Sequence, residues 1–198
     1  MGRIVVMNQM TLDGVMQGPG RAGEDPRGGF THSGWALRSP QAPEEVTKAM
    51  SDRMAAGGGL KGWLLGRWTY EDLLTTWNSR GGPFKDALNN APKYIASTTL
   101  TEPLPWPNST LLHGDLAEAV GALKAQSDGV LAIMGSGNLI GSLIPANLID
   151  EYLLMIHPLV LGSGRRMFPE GAEVSLRLAH GTITSAGVLI ASYEPVEP

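Results

Sequence analysis

The chain of 198 residues contains no cysteine and carries no excess of positive charge. Without cysteine it can form no disulfide and no zinc ribbon, and it has no thiol nucleophile. A formal net charge of -4 at pH 7 provides no positive field for a phosphate backbone, so we expect no nucleic acid partner. The histidines show no metal-ligand spacing and no G-x-S-x-G elbow occurs. We therefore expect neither a metal nor serine-hydrolase chemistry.

No hydrophobic run reaches the roughly 18 residues that a membrane-spanning helix needs. The amino terminus also lacks the charged and apolar regions of a secretion signal. We therefore expect a cytoplasmic protein without a membrane partner. Hydrophobic residues make up 42% of the sequence and charged residues 17%, which is typical of a globular protein, and the length predicts a single domain over 1–198.

Short apolar segments alternate with helical patterns along the chain. The predicted strands are 4–7, 63–65, 94–96, 110–112, 130–134 and 152–156, and the predicted helices are 43–56, 69–77, 116–125 and 138–143. This alternation predicts an α/β fold with a mostly parallel central sheet. Segments 174–184 and 188–193, joined by a short turn with a glycine, predict an antiparallel hairpin near the C-terminal end.

The stretch 12–43 is rich in glycine and proline and is longer than an ordinary connection. Long loops of this kind often cover active sites, so we predict a lid, with a surface excursion as the alternative. Phe30 and Trp35 lie within the stretch, and such large apolar side chains must pack against other residues.

A predicted strand ends at Gly66, and a predicted helix follows almost at once. The amino terminus of a helix presents free N–H groups to an anion, and Arg67 and the Thr69 hydroxyl could add contacts to a phosphate. In the alternative interpretation, Thr69 caps the helix and Arg67 lies in solvent.

A second turn of the same kind follows the strand 130–134. Its glycines are Gly135, Gly137 and Gly141, so the third comes one position late for the G-x-G-x-x-G fingerprint of a Rossmann domain. The P-loop motif G-x-x-x-x-G-K-[ST] is absent as well. Two turns that present free backbone N–H groups at the strand ends of one sheet could hold the two ends of a dinucleotide.

Three hydroxyl residues, Ser97, Thr98 and Thr99, follow another predicted strand. Beside a guanidinium group they would suit a 2′-phosphate, although Ser and Thr runs also form ordinary turns. The carboxylates that could act as acids include Asp13, Glu44 and Glu45. Residues of this type are more often helix caps or surface groups than catalysts.

In this order, the motifs resemble the dihydrofolate reductase superfamily. The likeness is closer to the reductase domain of the bifunctional riboflavin-biosynthesis deaminase-reductase and its stand-alone relatives. The segments that carry it are 11–15, 65–71, 134–137, 150–152 and 157–164. The resemblance covers nearly the whole chain, and it implies a three-layer dihydrofolate reductase-like α/β fold, NADPH as cofactor and a homodimer.

The resemblance also implies roles for individual residues on the cofactor side. Gly66, Arg67 and Thr69 would hold the adenosine-side phosphates, Ser97, Thr98 and Thr99 would lie near the 2′-phosphate, and His113 would line the adenine pocket. The turn formed by Gly135, Ser136, Gly137, Asn138 and Leu139 would cradle the pyrophosphate and the nicotinamide side.

On the substrate side, the backbone around 13–16 would close over the nicotinamide, and the candidates for substrate binding are Met16, Trp35, Met50 and Arg53. Dihydrofolate reductases keep a carboxylate at the start of their first helix, but the spacing from Gly66 leads to Met50 here. Either Glu44 or Glu45 approaches from a shifted helix, or no such acid exists. Asp13 and water are the other proton sources. A ribose phosphate would need cations, for which Arg53, Arg165 and Arg166 are candidates.

The function implied is hydride transfer from NADPH to a C=N or C=O group of a small planar heterocycle or its ribosylated form. A 5-amino-6-(5-phosphoribosylamino)uracil reductase-like activity, related to riboflavin biosynthesis, is one such reaction. The zinc-dependent deaminase half of the bifunctional enzyme has no counterpart in the sequence. The alternatives are a dihydrofolate reductase-like protein that binds nucleotide with little or no turnover, and a flavin- or quinone-type reductase.

Overall fold

The computed structural model describes residues 1–39 and 42–196. Its strands are β1 (Arg3–Thr11), β2 (Leu60–Gly66), β3 (Lys93–Ala96), β4 (Ser109–Leu112), β5 (Val130–Met134), β6 (Glu151–His157), β7 (Leu176–Ile183) and β8 (Leu189–Pro195). Its α-helices are α1 (Trp35–Arg38), α2 (Pro43–Ala56), α3 (Arg67–Arg80), α4 (Pro83–Asn90), α5 (Leu116–Gln126) and α6 (Gly137–Leu143). A 3₁₀ turn covers Arg27–Gly29.

All eight strands form one sheet in the order β4-β3-β2-β5-β1-β6-β8-β7. The first six strands of the chain are parallel, whereas β8 is antiparallel to both β6 and β7. The predicted mostly parallel sheet with an antiparallel C-terminal hairpin is therefore confirmed. The second strand of the hairpin lies inside the sheet, and its first strand, β7, forms the edge.

Both faces of the sheet are covered, which explains why the strands are apolar without alternation. Along β1, Ile4 and Val6 point to one face, and Val5 and Met7 point to the other. Helices α2, α3 and α4 pack on the face of Val5, and α5 and α6 pack on the opposite face. The result is the three-layer arrangement that the family resemblance implies.

Helix α4 was not predicted from the sequence. Pro83 occupies its first turn, where the missing N–H of proline costs nothing, and Phe84 and Leu88 form its short apolar side. The fully buried Lys93 donates from Nζ to the carbonyls of Leu88 and Ala91 at the end of the helix, at 2.6 and 2.8 Å. This cation satisfies carbonyl groups that a helix end leaves without partners.

The stretch predicted as a long loop contains short elements and a small core of its own. Trp35 is fully buried, packs with Val15 and Phe30, and donates from Nε1 to the carbonyl of Gln17 at 2.8 Å. Its ring also meets the ring of His157 edge to face, with 5.3 Å between the centroids. The predicted packing of the large apolar side chains is therefore confirmed. Pro40 and Gln41, which fall within the predicted loop, lie outside the described residues.

Among the helices in residues 1–39 and 42–196, none has the length and apolar character that a membrane span requires.

Candidate cofactor and substrate cleft

A cleft of about 760 Å³ opens where β1 to β5 reach their carboxyl ends. Its volume lies in the range of small-molecule and cofactor sites, roughly 300–1,000 Å³. The structure brings together in its lining all the residues that the sequence proposed for the cofactor: Gly66, Arg67, Thr69, Ser97, Thr98, Thr99, His113, Gly135, Ser136, Gly137, Asn138 and Leu139. We call the part of the cleft lined by these residues the nucleotide half.

The two glycine turns are joined by the side chain of Ser136. Its Oγ accepts a hydrogen bond from the backbone N–H of Gly66 at 2.8 Å and donates to Oγ1 of Thr69 at 2.8 Å. Ser136 has a left-handed backbone, with φ +58°, which aims the hydroxyl at the other turn. The turns after β2 and β5 are therefore connected, and together we call them the cradle.

A side chain at either of two glycines of this cradle would press on the opposite turn. A Cβ atom on Gly135 would lie 3.1 Å from Oγ1 of Thr69, and one on Gly66 would lie 3.2 Å from Oγ of Ser136. Gly135 also has φ +64°, which strains any other L-residue. Its backbone N–H donates to Oδ1 of Asn8 at 2.7 Å. The two turns are thus packed closely against each other and bonded to β1.

The amino terminus of α3 faces the cleft with its first N–H groups uncapped by any side chain. The Thr69 hydroxyl accepts from Ser136, so it does not cap the helix as the alternative interpretation proposed. Arg67 remains 49% exposed, and its guanidinium lies 4.0 Å from Glu71. A solvent-exposed pair at this distance costs little to separate, so the guanidinium can turn to an anion.

The part of the nucleotide half that follows β3 contains three hydroxyl residues, of which one shapes a turn and two are exposed. Oγ of Ser97 accepts from the backbone N–H groups of Thr99 and Leu100 at 3.1 and 3.0 Å, so this hydroxyl shapes the turn. Thr98 and Thr99 are exposed and line the cleft. His113, also in the lining, lies with Nε2 3.5 Å from Glu102.

The other part of the cleft lies between α2 and α3 on one face of the sheet, and we call it the apolar half. It is lined by Met7, Val46, Met50, Leu73, Trp77 and Met155. Gln9 supplies a polar group from β1, and its Oε1 lies 3.1 Å from Nε2 of His157. Because an amide oxygen only accepts, this contact directs the amide nitrogen of Gln9 away from His157.

The mouth of the cleft carries an acidic rim, formed by Glu24, Asp25 and Asp72 where the loop after β1 meets α3. Asp72 forms an ion pair with Arg21, and Asp25 accepts from Nε of Arg27 at 2.7 Å. Burial raises the pKa of Glu24 and of Asp72 above their usual values, and repulsion between the two carboxylates adds to the shift for Glu24. The guanidinium of Arg27 lies 4.1 Å above the centroid of the Trp68 ring. These contacts attach the loop to α3 across the cleft.

The proposed role of Asp13 as an acid does not fit the structure. Its carboxylate lies outside the lining of the cleft and accepts from the Thr11 hydroxyl and from the N–H groups of Leu161 and Gly162. Although slight burial opposes ionisation, these hydrogen bonds lower the pKa of Asp13 below its usual value. An acid with a lowered pKa is ionised at neutral pH and has no proton to donate.

Glu44 and Glu45 also lie outside the lining of the cleft. Glu44 faces an exposed patch beside Pro43 and Lys48 on the outer side of α2. Glu45 accepts from the hydroxyl and, at 3.0 Å, from the N–H of Ser185, and these bonds lower its pKa. The helix is not shifted toward the cleft, and α2 contributes Val46 and Met50 to the lining instead.

Of the four residues proposed for substrate binding, Met16 and Met50 line the cleft, and Trp35 and Arg53 do not. Trp35 is buried behind the loop, where it supports Gln17. Arg53 donates to Oε1 of Glu151 at 2.8 and 3.0 Å. Glu151 is the first residue of β6, so this ion pair lies at the amino ends of the parallel strands, whereas the cleft opens at their carboxyl ends. The assignment of Trp35 and Arg53 to substrate binding is therefore corrected, because neither side chain lines the cleft.

The sequence did not predict Asn8, Gln9 and Asp72, or the loop residues Glu24, Asp25 and Arg27, as parts of the cleft. A signal existed for the first two, because two amides interrupt an otherwise apolar strand and buried amides require partners. Asp72 lies one helical turn after Trp68, on the side of α3 that carries the rim.

The sequence matches the family model described as the RibD C-terminal domain over residues 3–190. The chain belongs to this family. This membership confirms the resemblance seen in the motifs of the sequence.

Solved structures share the fold of this RibD C-terminal domain at low sequence identity. A protein from Shewanella sp. PV-4 named for riboflavin biosynthesis has 22% identity and a TM-score of 0.72, with both chains fully covered. A pyrimidine reductase-like protein from Corynebacterium diphtheriae has 11% identity and a TM-score of 0.64, over 99% of this chain and 92% of that chain. Dihydrofolate reductase from Enterococcus faecalis, in complex with NADP(H), has 17% identity and a TM-score of 0.58, over 98% and 97%.

Among curated proteins, the uncharacterized protein YyaP of Bacillus subtilis (strain 168) is 31% identical over 99 residues. The match covers 49% of this chain and 51% of YyaP, so the chain spans about half the length of this curated relative.

Proposed function

We propose that this chain is an NADPH-dependent reductase that transfers a hydride to a small planar heterocycle. The observation that carries the proposal is that the residues assigned to the cofactor from sequence, distant in the chain, all line one cleft. The bound NADP(H) of the structurally similar Enterococcus faecalis dihydrofolate reductase supports the choice of dinucleotide.

The residues of the nucleotide half fit this cofactor. Gly66 and Gly135 belong to the two turns that line the cleft at the ends of β2 and β5. Arg67 and the uncapped N–H groups of α3 offer positive charge for a phosphate. Thr98 and Thr99 offer exposed hydroxyls for the 2′-phosphate. When bound, NADPH would supply the hydride, and the protein orients the reactants and excludes water.

The proton that accompanies the hydride comes from water or from Glu24. Glu24 lines the cleft, and burial raises its pKa, whereas the hydrogen bonds that its Oε2 accepts from the N–H groups of Arg21 and Gly20 oppose that rise. Asp25 and Asp72 are each paired with an arginine, so both are less suited to this role.

Calorimetric titration with NADPH and with NADH tests the proposed cofactor. We expect NADPH to bind more tightly than NADH, and Arg67→Ala to weaken NADPH binding by roughly 10- to 100-fold, because a charge-assisted hydrogen bond is lost. Arg177→Ala is the matched control, since Arg177 lies on β7 and pairs with Glu194 away from the cleft. Equal affinity for the two nucleotides, unaffected by Arg67→Ala, would contradict the 2′-phosphate assignment.

The absorbance of NADPH at about 340 nm, followed in the presence of small heterocycles, tests turnover. Oxidation that depends on the heterocycle would support a reductase. Tight NADPH binding without oxidation by any heterocycle would favour a nucleotide-binding protein with little or no turnover.

We also propose that the chain forms a homodimer, as the resemblance implies. The edge strand β7 pairs with β8 alone among the described strands. It exposes 55% of Leu178 and 71% of Ile183, which are large apolar side chains to leave in water. Sedimentation equilibrium tests this proposal, and a monomer at micromolar concentration would contradict it.

A further inference from the structure

Arg165, in the segment between β6 and β7, lines the cleft beside the nucleotide half. Its guanidinium donates from Nη1 to Oδ1 of Asn138 at 3.0 Å. Its Cδ lies 3.8 Å from the position that a Cβ atom on Gly137 would take. The sequence offered this arginine as a cation for a ribose phosphate, but both of these contacts are with residues of the nucleotide half.

The main chain of Arg165 is fixed by the loop that follows β1. Its N–H donates to Oε1 of Gln17 at 2.9 Å, and its carbonyl accepts from the N–H of Met16 at 3.0 Å. Gln17 is buried, and its amide nitrogen donates to the carbonyls of Asp25 and Arg27 at 3.1 and 2.9 Å. Because the backbone is held on the side of the cleft, only the side chain of Arg165 has to adjust to a ligand.

The positive charge of Arg165 is not neutralised by the protein. Among the residues that the structure describes, no ion pair includes this arginine. Its partner Asn138 is neutral, so the amide oxygen orients the guanidinium and leaves its charge available. An arginine has five N–H donors, and one bond to an amide leaves others for the oxygens of a phosphate.

The order of the strands assigns Arg67 and Arg165 to different phosphates. The turn with Arg67 follows β2, which lies beside β3 and the exposed hydroxyls of Thr98 and Thr99. The turn that Arg165 contacts follows β5, which lies beside β1 and the apolar half. Since the proposed 2′-phosphate lies near those hydroxyls, the adenosine side of the dinucleotide is beside Arg67. The nicotinamide side, with its own phosphate, is then beside Arg165.

We propose that Arg165 binds the nicotinamide-side phosphate of the dinucleotide, whereas Arg67 binds the phosphate on the adenosine side. This inference rests on the proposed function and adds to the cofactor site a residue from the segment after β6. The guanidinium forms charge-assisted hydrogen bonds with the phosphate oxygens, and Asn138 keeps it directed into the cleft. Loss of its charge therefore lowers the affinity only for ligands that contain this phosphate.

Calorimetric titration with two ligands tests the assignment. NADP⁺ contains the nicotinamide-side phosphate, whereas adenosine 2′,5′-bisphosphate is the adenosine-side part of NADP⁺ and lacks it. We expect Arg165→Gln to weaken NADP⁺ binding by at least about tenfold, because charge-assisted hydrogen bonds are lost. The same variant should change the affinity for the bisphosphate by less than about twofold, because that ligand does not reach the arginine. Arg67→Ala should weaken the binding of both ligands.

Arg166→Gln is the matched control. Arg166 is the next residue of the same segment, but it donates from Nε to the carbonyl of Asp13 and lies outside the lining of the cleft. Both glutamine variants lower the net charge equally, so a general electrostatic effect would appear in both. We expect Arg166→Gln to bind NADP⁺ as the wild type does. Arg165→Lys keeps the charge but not the planar fork, so it should retain part of the affinity.

The outcomes separate this proposal from the proposed function. Absence of NADP⁺ binding to the wild type would contradict the proposed function, on which the role of Arg165 depends. NADP⁺ binding that is unchanged in Arg165→Gln, or weakened equally in Arg165→Gln and Arg166→Gln, would overturn the role of Arg165 alone. Equal weakening of both ligands in Arg165→Gln would assign the guanidinium to the adenosine side and would also overturn the proposal.

Discussion

The hydroxyl of Ser136 lies 2.8 Å from the backbone nitrogen of Gly66 and donates across the cleft floor to Thr69, also at 2.8 Å. One side chain therefore sets the separation of two turns that follow different strands. Since a dinucleotide must contact both turns at once, its binding should depend on this hydroxyl.

Replacement of Ser136 by alanine tests that dependence. The variant leaves the N–H of Gly66 without its acceptor, and an unsatisfied group of this kind costs about 1–3 kcal/mol. We expect NADPH affinity, measured by calorimetry, to fall by roughly tenfold while the fold persists. Ser79→Ala, which removes a hydroxyl bonded within α3 near its C-terminal end, is the control. An affinity that is the same in both variants would show that the turns are held by other contacts.

Gly135→Ala tests whether the cradle needs a glycine at this turn. The added Cβ would lie 3.1 Å from Oγ1 of Thr69, and the residue has φ +64°. Gly171→Ala has a similar φ of +78° and open space around its Cβ, so it controls for backbone strain. Both variants should lose roughly 1 kcal/mol of stability in urea denaturation, but Gly135→Ala alone should weaken NADPH binding. Unchanged binding in Gly135→Ala would argue against contact between this turn and the nucleotide.

Arg21→Ala tests the attachment of the loop to α3. Arg21 is partly buried, does not line the cleft and pairs with Asp72. Its removal should expose the glycine-rich loop, so limited proteolysis between residues 18 and 34 should become several-fold faster. Lys48→Ala, which removes an exposed pair with Asp52, should leave the rate unchanged. If the two variants are cleaved at the same rate as the wild type, the ion pair does not hold the loop.

His157 should contribute to acid sensitivity. Burial lowers its pKa below the ordinary value of 6.5. As pH falls below 6.5, the unfolded chain therefore takes up a proton that the folded protein resists, and stability decreases until the folded-state pKa is passed. In urea denaturation from pH 7.5 to 5, the difference in unfolding free energy between the wild type and His157→Phe should shrink toward acid pH. Val15→Ala, in the neighbouring cluster, should lower stability equally at each pH. Parallel profiles for the wild type and His157→Phe would refute this role.

The sequence predicted the fold, and it predicted that the two glycine turns lie together, because both depend on local features. The glycines at 66, 135 and 137 mark strand-to-helix turns, and parallel strands bring such turns to one edge of a sheet. The strands are apolar without alternation, which is likewise a local feature of the sequence. Helix α4 was not predicted because its apolar side consists of little more than Phe84 and Leu88.

The substrate side was poorly predicted because its contacts join residues far apart in the chain. Arg21 and Asp72 are separated by 51 positions, and Arg53 and Glu151 by 98. The periodicity of apolar residues does not predict which distant side chains pair. The sequence therefore placed Arg53 near a substrate and did not predict the acidic rim. Asp13 was chosen for its position after β1, whereas its partners at 161 and 162 give its carboxylate a structural role.

The most direct test of the central claim, an NADPH site in this cleft, is a fluorescence titration of the protein with NADPH. Trp68 and Trp77 line the cleft, so both should transfer energy to a reduced nicotinamide bound there. We expect saturable quenching of tryptophan emission with sensitised nucleotide emission, a much weaker response to NADH, and a reduced transfer in Trp68→Phe and Trp77→Phe. Absence of a saturable response to either nucleotide would contradict the assignment of this cleft.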